Sequence, residues 1–152
     1  MDPAVVTFAD EARSYCAFIE HAVELDVGRR LAMARMHLLR LYQAALALPE
    51  VEPPDDVEAG PSPERPRGWA GFGDLDGYWE VFDPYEQDEP VGGSLSDDLL
   101  DVYADVRRGL DLWDRDVPKE AASWEWRFHL EAHWGDHAVD ALRALHRACA
   151  RV

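Results

Sequence analysis

Three histidines, His129, His133 and His137, recur at every fourth residue near the C-terminal end of the chain. On a helix, imidazoles at i and i+4 can grip one metal ion. A repeat of four drifts by about 40° per step around an α-helix. This places His129 on the solvent side and His137 nearest the apolar edge, with His133 between them. Zinc or iron needs about four to six nitrogen and oxygen ligands, so one helix cannot close such a site. Glu131, on the core side, and His37, on the flank of an earlier helix, are candidates to join His133 and His137. Asp98, Asp101 and Asp105 run along one flank of another predicted helix and are a second source of ligands. Their mutual repulsion would be relieved by a cation, or by facing arginines such as Arg29 and Arg30. No His-Glu-x-x-His motif and no paired Glu-x-x-His motif occurs. If no metal binds, the same histidines are expected to hydrogen-bond carboxylates or carbonyls around the Trp79 and Trp134 rings. The expected cofactor is therefore none, with a divalent metal as the alternative.

Arg127 and Glu131 form a second constellation. On a uniform helical wheel, Trp124, Phe128, Trp134, Ala138, Leu142, Leu145 and Cys149 share one apolar face, and Arg127 and Glu131 fall inside it. Four residues apart, the two side chains can meet. The expectation is a buried ion pair tying the helix to its surroundings. In the functional alternative, Glu131 is a ligand or general base oriented by Arg127.

A third constellation is aromatic. Trp69, Phe72, Tyr78, Trp79, Phe82 and Tyr85 put six rings into residues 69–93. Residues 78–82 suit a short strand, and Asp83-Pro84 and Gly92-Gly93 are turn signals. Tyr78, Trp79 and Phe82 join Arg127, Glu131 and Trp134 as a candidate binding or structural site. Packing of the rings on the body of the protein is expected over exposure, which invites aggregation.

The elements that must position these groups are helical. A first helix is predicted over residues 8–25, capped by Thr7, with Phe8, Ala12, Tyr15, Ile19 and Ala22 on its buried face. Asp26 caps a second over residues 27–48, whose Leu31, Ala34, Leu38, Leu41, Ala45 and Leu48 make a bundle seam. Six of the ten prolines fall in residues 49–68, which read as a mobile, acidic crossover. A third helix spans residues 97–113 behind Ser96 as cap. A fourth starts near Pro118 and runs to about residue 150, weakened or kinked at Gly135. Four amphipathic helices and one long crossover make an all-α four-helix bundle, a single domain over residues 1–152, with a short aromatic, strand-forming insertion.

Composition narrows the function. The chain has 152 residues, 47% of them apolar and 30% charged, and a net charge of −16. Such a field repels nucleic acid and anionic lipid and favours a basic protein partner or metal ions. No stretch of about 20 apolar residues exists to span a membrane. The first residues lack the basic and apolar regions of an export signal, which points to the cytoplasm. Cys16 and Cys149 are expected to be reduced thiols. There is no phosphate-cradling loop, dinucleotide fingerprint, nucleophile elbow or Cys-x-x-Cys pair.

The string from Tyr78 to Pro84, followed by Asp88-Glu89-Pro90-Val91 and the run from Ser94 to Leu99, resembles an uncharacterised bacterial family, domain of unknown function 5063. The similarity continues through residues 124–128, 133–138 and 140–146 and covers most of residues 8–148 outside the crossover. The resemblance implies a small cytoplasmic helical protein and marks Arg127, His133, Trp134, His137 and residues 78–84 as parts of the family pattern. It implies no activity. The function expected from all these features is a non-enzymatic interaction or accessory module. Two alternatives stand beside it: a metal-binding bundle or metal-dependent enzyme, and a binder of small molecules under the aromatic insertion.

Overall fold

The structure is a computed structural model that describes residues 1–152. Helix α1 spans Pro3–His21, five residues earlier than its apolar pattern suggested. Proline at the first helical position costs no hydrogen bond, and the Asp2 carboxylate accepts from the Ala4 amide, so the cap is Asp2 and not Thr7. Thr7 lies inside the helix and donates to the Pro3 carbonyl. Helix α2, Val27–Ala45, starts at the expected cap, Asp26, whose side chain accepts from the Arg29 amide.

Strands β1 (Gly77–Glu80) and β2 (Val91–Ser94) form an antiparallel hairpin in which Tyr78 faces Gly93 and Glu80 faces Val91. Gly93 is required here, because a Cβ would press into the Tyr78 ring. The hairpin leads directly into helix α3, Leu95–Trp113. Its cap is Ser94, the last strand residue, whose hydroxyl accepts from the Asp97 amide. Ser96 instead donates to Asp76 and accepts from the Trp69 indole at 2.7 Å. Arg30 is buried, away from the α3 aspartates, and its guanidinium donates to the carbonyls of Ala22, Leu25 and Gly71. It thereby ties the start of the aromatic insertion to the α1–α2 turn.

The last quarter of the chain is one long helical rod with an irregularity inside it. Helix α4, Glu120–His129, passes into a π-helical turn, Leu130–Trp134, and then into helix α5, Gly135–Cys149. Gly135 donates its amide to the Leu130 carbonyl, the i→i+5 bond of a π turn. A Cβ on residue 135 would overlap that carbonyl, so glycine is needed for the turn to exist. The expected weakness at Gly135 is this turn.

The π turn corrects the uniform helical wheel. Buried residues recur every fourth position through Ala122, Trp126, Leu130, Trp134 and Ala138, then at alternating spacings through Ala141, Leu145 and Ala148. A strict repeat of four would drift off the core on an α-helix, and the extra residue of the π turn takes back about 100°. Ahead of the turn the buried face is therefore centred on Trp126. Phe128 is consequently exposed and Trp124 half-buried.

Helix α1 packs on α2 and α3, and α5 packs on the same two helices from the diagonal position, while α4 lies along α3. This is the four-helix bundle. Cys16, on α1, and Cys149, on α5, are free thiols on diagonal helices. The core centres on Phe8, whose ring lies 4.8 Å from Trp126 and 6.2 Å from Trp134. Two polar groups of the core are paired: Trp126 Nε1 donates to the Val106 carbonyl, and the Tyr15 hydroxyl to the Leu99 carbonyl. Residues 49–68 contain no regular element; Arg65 meets Asp97 of α3, and Arg115, just past the end of α3, donates to the Glu58 carbonyl. No helix is long and apolar enough to cross a membrane.

Gly109 of α3 lies flat against the Trp126 indole, where a Cβ would overlap Nε1. Gly109→Ala should therefore push α4 off α3 and cost about 1–3 kcal/mol in a denaturant melt, as overpacking does. An unchanged midpoint would mean that the two helices are not in contact at this point.

Candidate functional site

Helix α3 presents Asp98, Asp101, Asp105 and Arg108, spaced 3-4-3, on a single face. The rod opposite presents Glu125, His129, His133 and His137, spaced by four and kept in register by the π turn. The two rows interlock. Asp98 and Asp105 are buried, at 5% and 7% exposure, so each must find hydrogen-bond partners. His137 Nδ1 lies 2.8 Å from Asp98 Oδ1, and His133 Nδ1 lies 2.7 Å from Asp105 Oδ2. At the other end, Arg108 donates to Glu125 and Asp105, and to His129 Nε2 at 2.7 Å. His129 is thus drawn into the interface and away from solvent.

The carboxylates fix the tautomers of His133 and His137. A carboxylate only accepts, so each Nδ1 carries the proton and a neutral ring keeps a lone pair on Nε2. Asp101 completes the group: its Oδ2 is 3.6 Å from His137 Nε2, and ligand atoms of Asp101, His133 and His137 all lie within 4.8 Å of one another. The rings of His133 and His137 are 4.8 Å apart, edge to face. The other Asp101 oxygen is 3.7 Å from Arg65 of the crossover. Of the two sources of further ligands suggested by the sequence, the α3 aspartates are the ones beside these histidines.

A relay leads away from this cluster. The Tyr78 hydroxyl lies 2.5 Å from Asp98 Oδ2 and 2.9 Å from Glu80 Oε2. Burial first, then the bond to Asp98, pushes the phenol pKa up, so Tyr78 stays protonated. The hydrogen bond to Asp98 raises the His137 pKa, with burial opposing it. Asp140 is pushed up to about 6 by burial and by Glu80.

The remaining sequence candidates lie elsewhere. His37 stacks on Phe18 at 5.1 Å, and its Nδ1 is buried without a partner. Burial and Arg40 lower its pKa. Trp134 is a core residue whose Nε1 donates to the Trp126 carbonyl. Arg127 and Glu131 do meet, at 2.8 Å, but Glu131 is 66% exposed on its side chain. The pair is therefore a surface ion pair and not the buried one expected, because the π turn rotates residues 127 and 131 out of the core face. It lines a small cleft with Trp124 and Phe128, on the crossover side. The aromatic insertion also departs from expectation. Trp69, Phe72 and Tyr78 pack on the bundle, but Trp79 and Phe82 are 78% and 88% exposed.

Glu125 and Arg108 are site residues that sequence reasoning passed over. Their signal was the match between the two rows of spacings, 98-101-105-108 against 125-129-133-137.

Glu131→Gln removes one member of an exposed pair and should change unfolding free energy by less than about 1 kcal/mol. A loss several times larger would place the pair in the core. Asp140 has a folded pKa raised from 3.8 to about 6, so its contribution to stability is lost as pH rises through that window. Asp140→Asn should leave stability unchanged at pH 4 and raise it at pH 7.5, by under about 1 kcal/mol after solvent screening. Melts of both proteins at the two pH values check the sign.

The fold recurs in the crystal structure of protein BF1032 from Bacteroides fragilis, with a TM-score of 0.78 over 97% of this chain and 92% of that one, at 21% identity. No curated protein matches the sequence. The profile of the family described as domain of unknown function DUF5063 matches residues 1–151, and the chain belongs to that family.

Proposed function

We propose that the protein binds one divalent transition-metal ion through His133 Nε2, His137 Nε2 and Asp101. The observation that carries this reading is the pairing of each imidazole Nδ1 with a buried carboxylate, Asp105 or Asp98, which leaves both Nε2 atoms as acceptors beside a third ligand. A carboxylate behind an imidazole orients the ring and raises its basicity toward a metal. Two ligands of a tetrahedral zinc, with bonds of about 2.0–2.1 Å, stand about 3.3 Å apart. The 3.6 Å between His137 Nε2 and Asp101 Oδ2 is close to that value, and the three ligand atoms, all within 4.8 Å of one another, close further by side-chain rotation when an ion binds. Two imidazoles and a carboxylate suit zinc and leave a coordination position for water. Such a site can activate water for hydrolysis or serve structure alone.

A second reading, the interaction module, draws on the exposed Trp79, Phe82 and Tyr85 rings of the hairpin. The two readings use different faces and are compatible.

Elemental analysis of untagged protein, followed by melting curves with chelator and with added zinc, tests the metal reading. Close to one equivalent of metal, or saturable one-to-one zinc binding after chelation, is expected, with a melting temperature raised by several degrees. Asp101→Asn, His133→Ala and His137→Ala should each remove most of the effect. Asp105→Asn should weaken binding by about 10–100-fold. Less than about a tenth of an equivalent, with no response to chelator or zinc, would overturn the proposal.

A further inference from the structure

A groove of about 730 Å³ lies between the aromatic hairpin and the outer face of α5. Clefts of this volume suit small molecules. Its two walls differ in chemistry. One carries Tyr78, Trp79, Phe82 and Pro84; the other carries Arg143 and Arg147 at successive turns of α5 and Arg151 just past its end. Val139, Ala144 and Leu75 supply apolar surface between them.

The arginines are unpaired. None of the three makes a hydrogen bond or ion pair with the protein through its side chain; Arg29, Arg35, Arg40 and Arg67 share this, whereas Arg13, Arg65, Arg107 and Arg108 are paired with acids. Asp74, Glu80, Asp136 and Asp140 line the same groove, yet no ion pair forms between them and the three guanidiniums. The exposed Trp79 and Phe82 rings are likewise uncovered.

We infer that the groove binds a nucleoside phosphate. The exposed Trp79 and Phe82 rings offer stacking faces to a planar base. The Arg143–Arg147–Arg151 row offers planar donors to phosphate oxygens. The carboxylates can accept from ribose hydroxyls or exocyclic amines. Four carboxylates line the groove beside the three arginines, so the phosphate is held by direct guanidinium hydrogen bonds and not by a positive field, and a longer nucleic acid would meet the repulsion of the whole chain. This site shares no residue with Asp101, His133 and His137, so it stands or falls independently of the metal reading.

The test is calorimetric titration, in chelator, of the full chain with ADP, GDP, CDP and UDP, with inorganic phosphate and adenosine as separate arms. At least one nucleotide should bind one-to-one, at least about tenfold more tightly than phosphate or adenosine alone. Arg147→Glu and Trp79→Ala, both at exposed positions, should each weaken it by about tenfold or more. Arg35→Glu, on α2 and outside the groove, should leave binding unchanged. The inference is overturned if no nucleotide binds at millimolar concentration, if Arg35→Glu weakens binding as much as Arg147→Glu, or if a single-stranded oligonucleotide or a protein partner binds the hairpin more tightly. Repeating the titration with zinc bound separates the two sites, since loss of metal leaves the expected affinity in place.

Discussion

A row of residues repeating every four positions cannot stay on one side of an α-helix, and this chain carries two such rows on one rod. Ala122, Trp126, Leu130, Trp134 and Ala138 must all reach the core, while Glu125, His129, His133 and His137 must all reach α3. The π turn at Leu130–Trp134 is the device that satisfies both. It depends on residue 135 having no side chain, since any Cβ would meet the Leu130 carbonyl. One glycine thus holds the phase of the aromatic core and of the histidine row together. π turns concentrate at functional sites for this reason: they store a less favourable backbone in exchange for placing side chains that an α-helix would misdirect.

Once the histidine row faces α3, the buried aspartates become tolerable. Asp98 and Asp105 are nearly inaccessible, and an unpaired carboxylate there would cost several kcal/mol. Each receives a histidine, and each has a second neighbour, Tyr78 for Asp98 and Arg108 for Asp105. A core of leucines would hold the helices together at least as well, because buried ionic groups rarely add net stability. What the polar interface adds is orientation: the imidazole rings are locked with one nitrogen inward and one outward. The cost falls on the interface and the benefit on Nε2.

Much of this could be read from residue spacing. The four helices, the crossover and one strand follow from periodicity, capping residues and prolines; Gly92 and Gly93, expected in a turn, instead pair with Trp79 and Tyr78 in β2, because only a residue without a side chain fits beside the Tyr78 ring at position 93. The α2 cap at Asp26 was legible because it stands alone before an apolar pattern. At α1 and α3 two candidate caps compete, Asp2 with Thr7 and Ser94 with Ser96, and only tertiary partners decide between them. Ser96 is engaged by Trp69 and Asp76, contacts that no local pattern encodes. The histidine ladder and the aspartate flank were each visible, but their partnership was not, because a wheel of constant pitch turns His129 to solvent and Glu131 to the core. The same wheel buried Arg127 with Glu131. Breaks in helical pitch leave little trace in a single sequence beyond a glycine that has no other reason to be there.

Net charge sets the terms on which either proposed ligand meets the protein. A chain at −16 gathers cations over its whole surface, but a diffuse counterion cloud is screened beyond about 8 Å at physiological salt. An ion held by two imidazole nitrogens is bound by lone pairs and not by that cloud, so added salt discriminates the two modes. The groove faces the opposite situation. Its three arginines stand beside four carboxylates within a negative field, so an approaching phosphate is repelled at long range and held only by contact with the guanidiniums. Association is then slow, and affinity must come from short-range stacking and bidentate hydrogen bonds. The Tyr78–Glu80 edge of the hairpin lies between the two regions, joined to His137 through Asp98. Its hydroxyl, kept protonated by burial and by two carboxylates, is a fixed donor that ties the hairpin to the carboxylate behind His137.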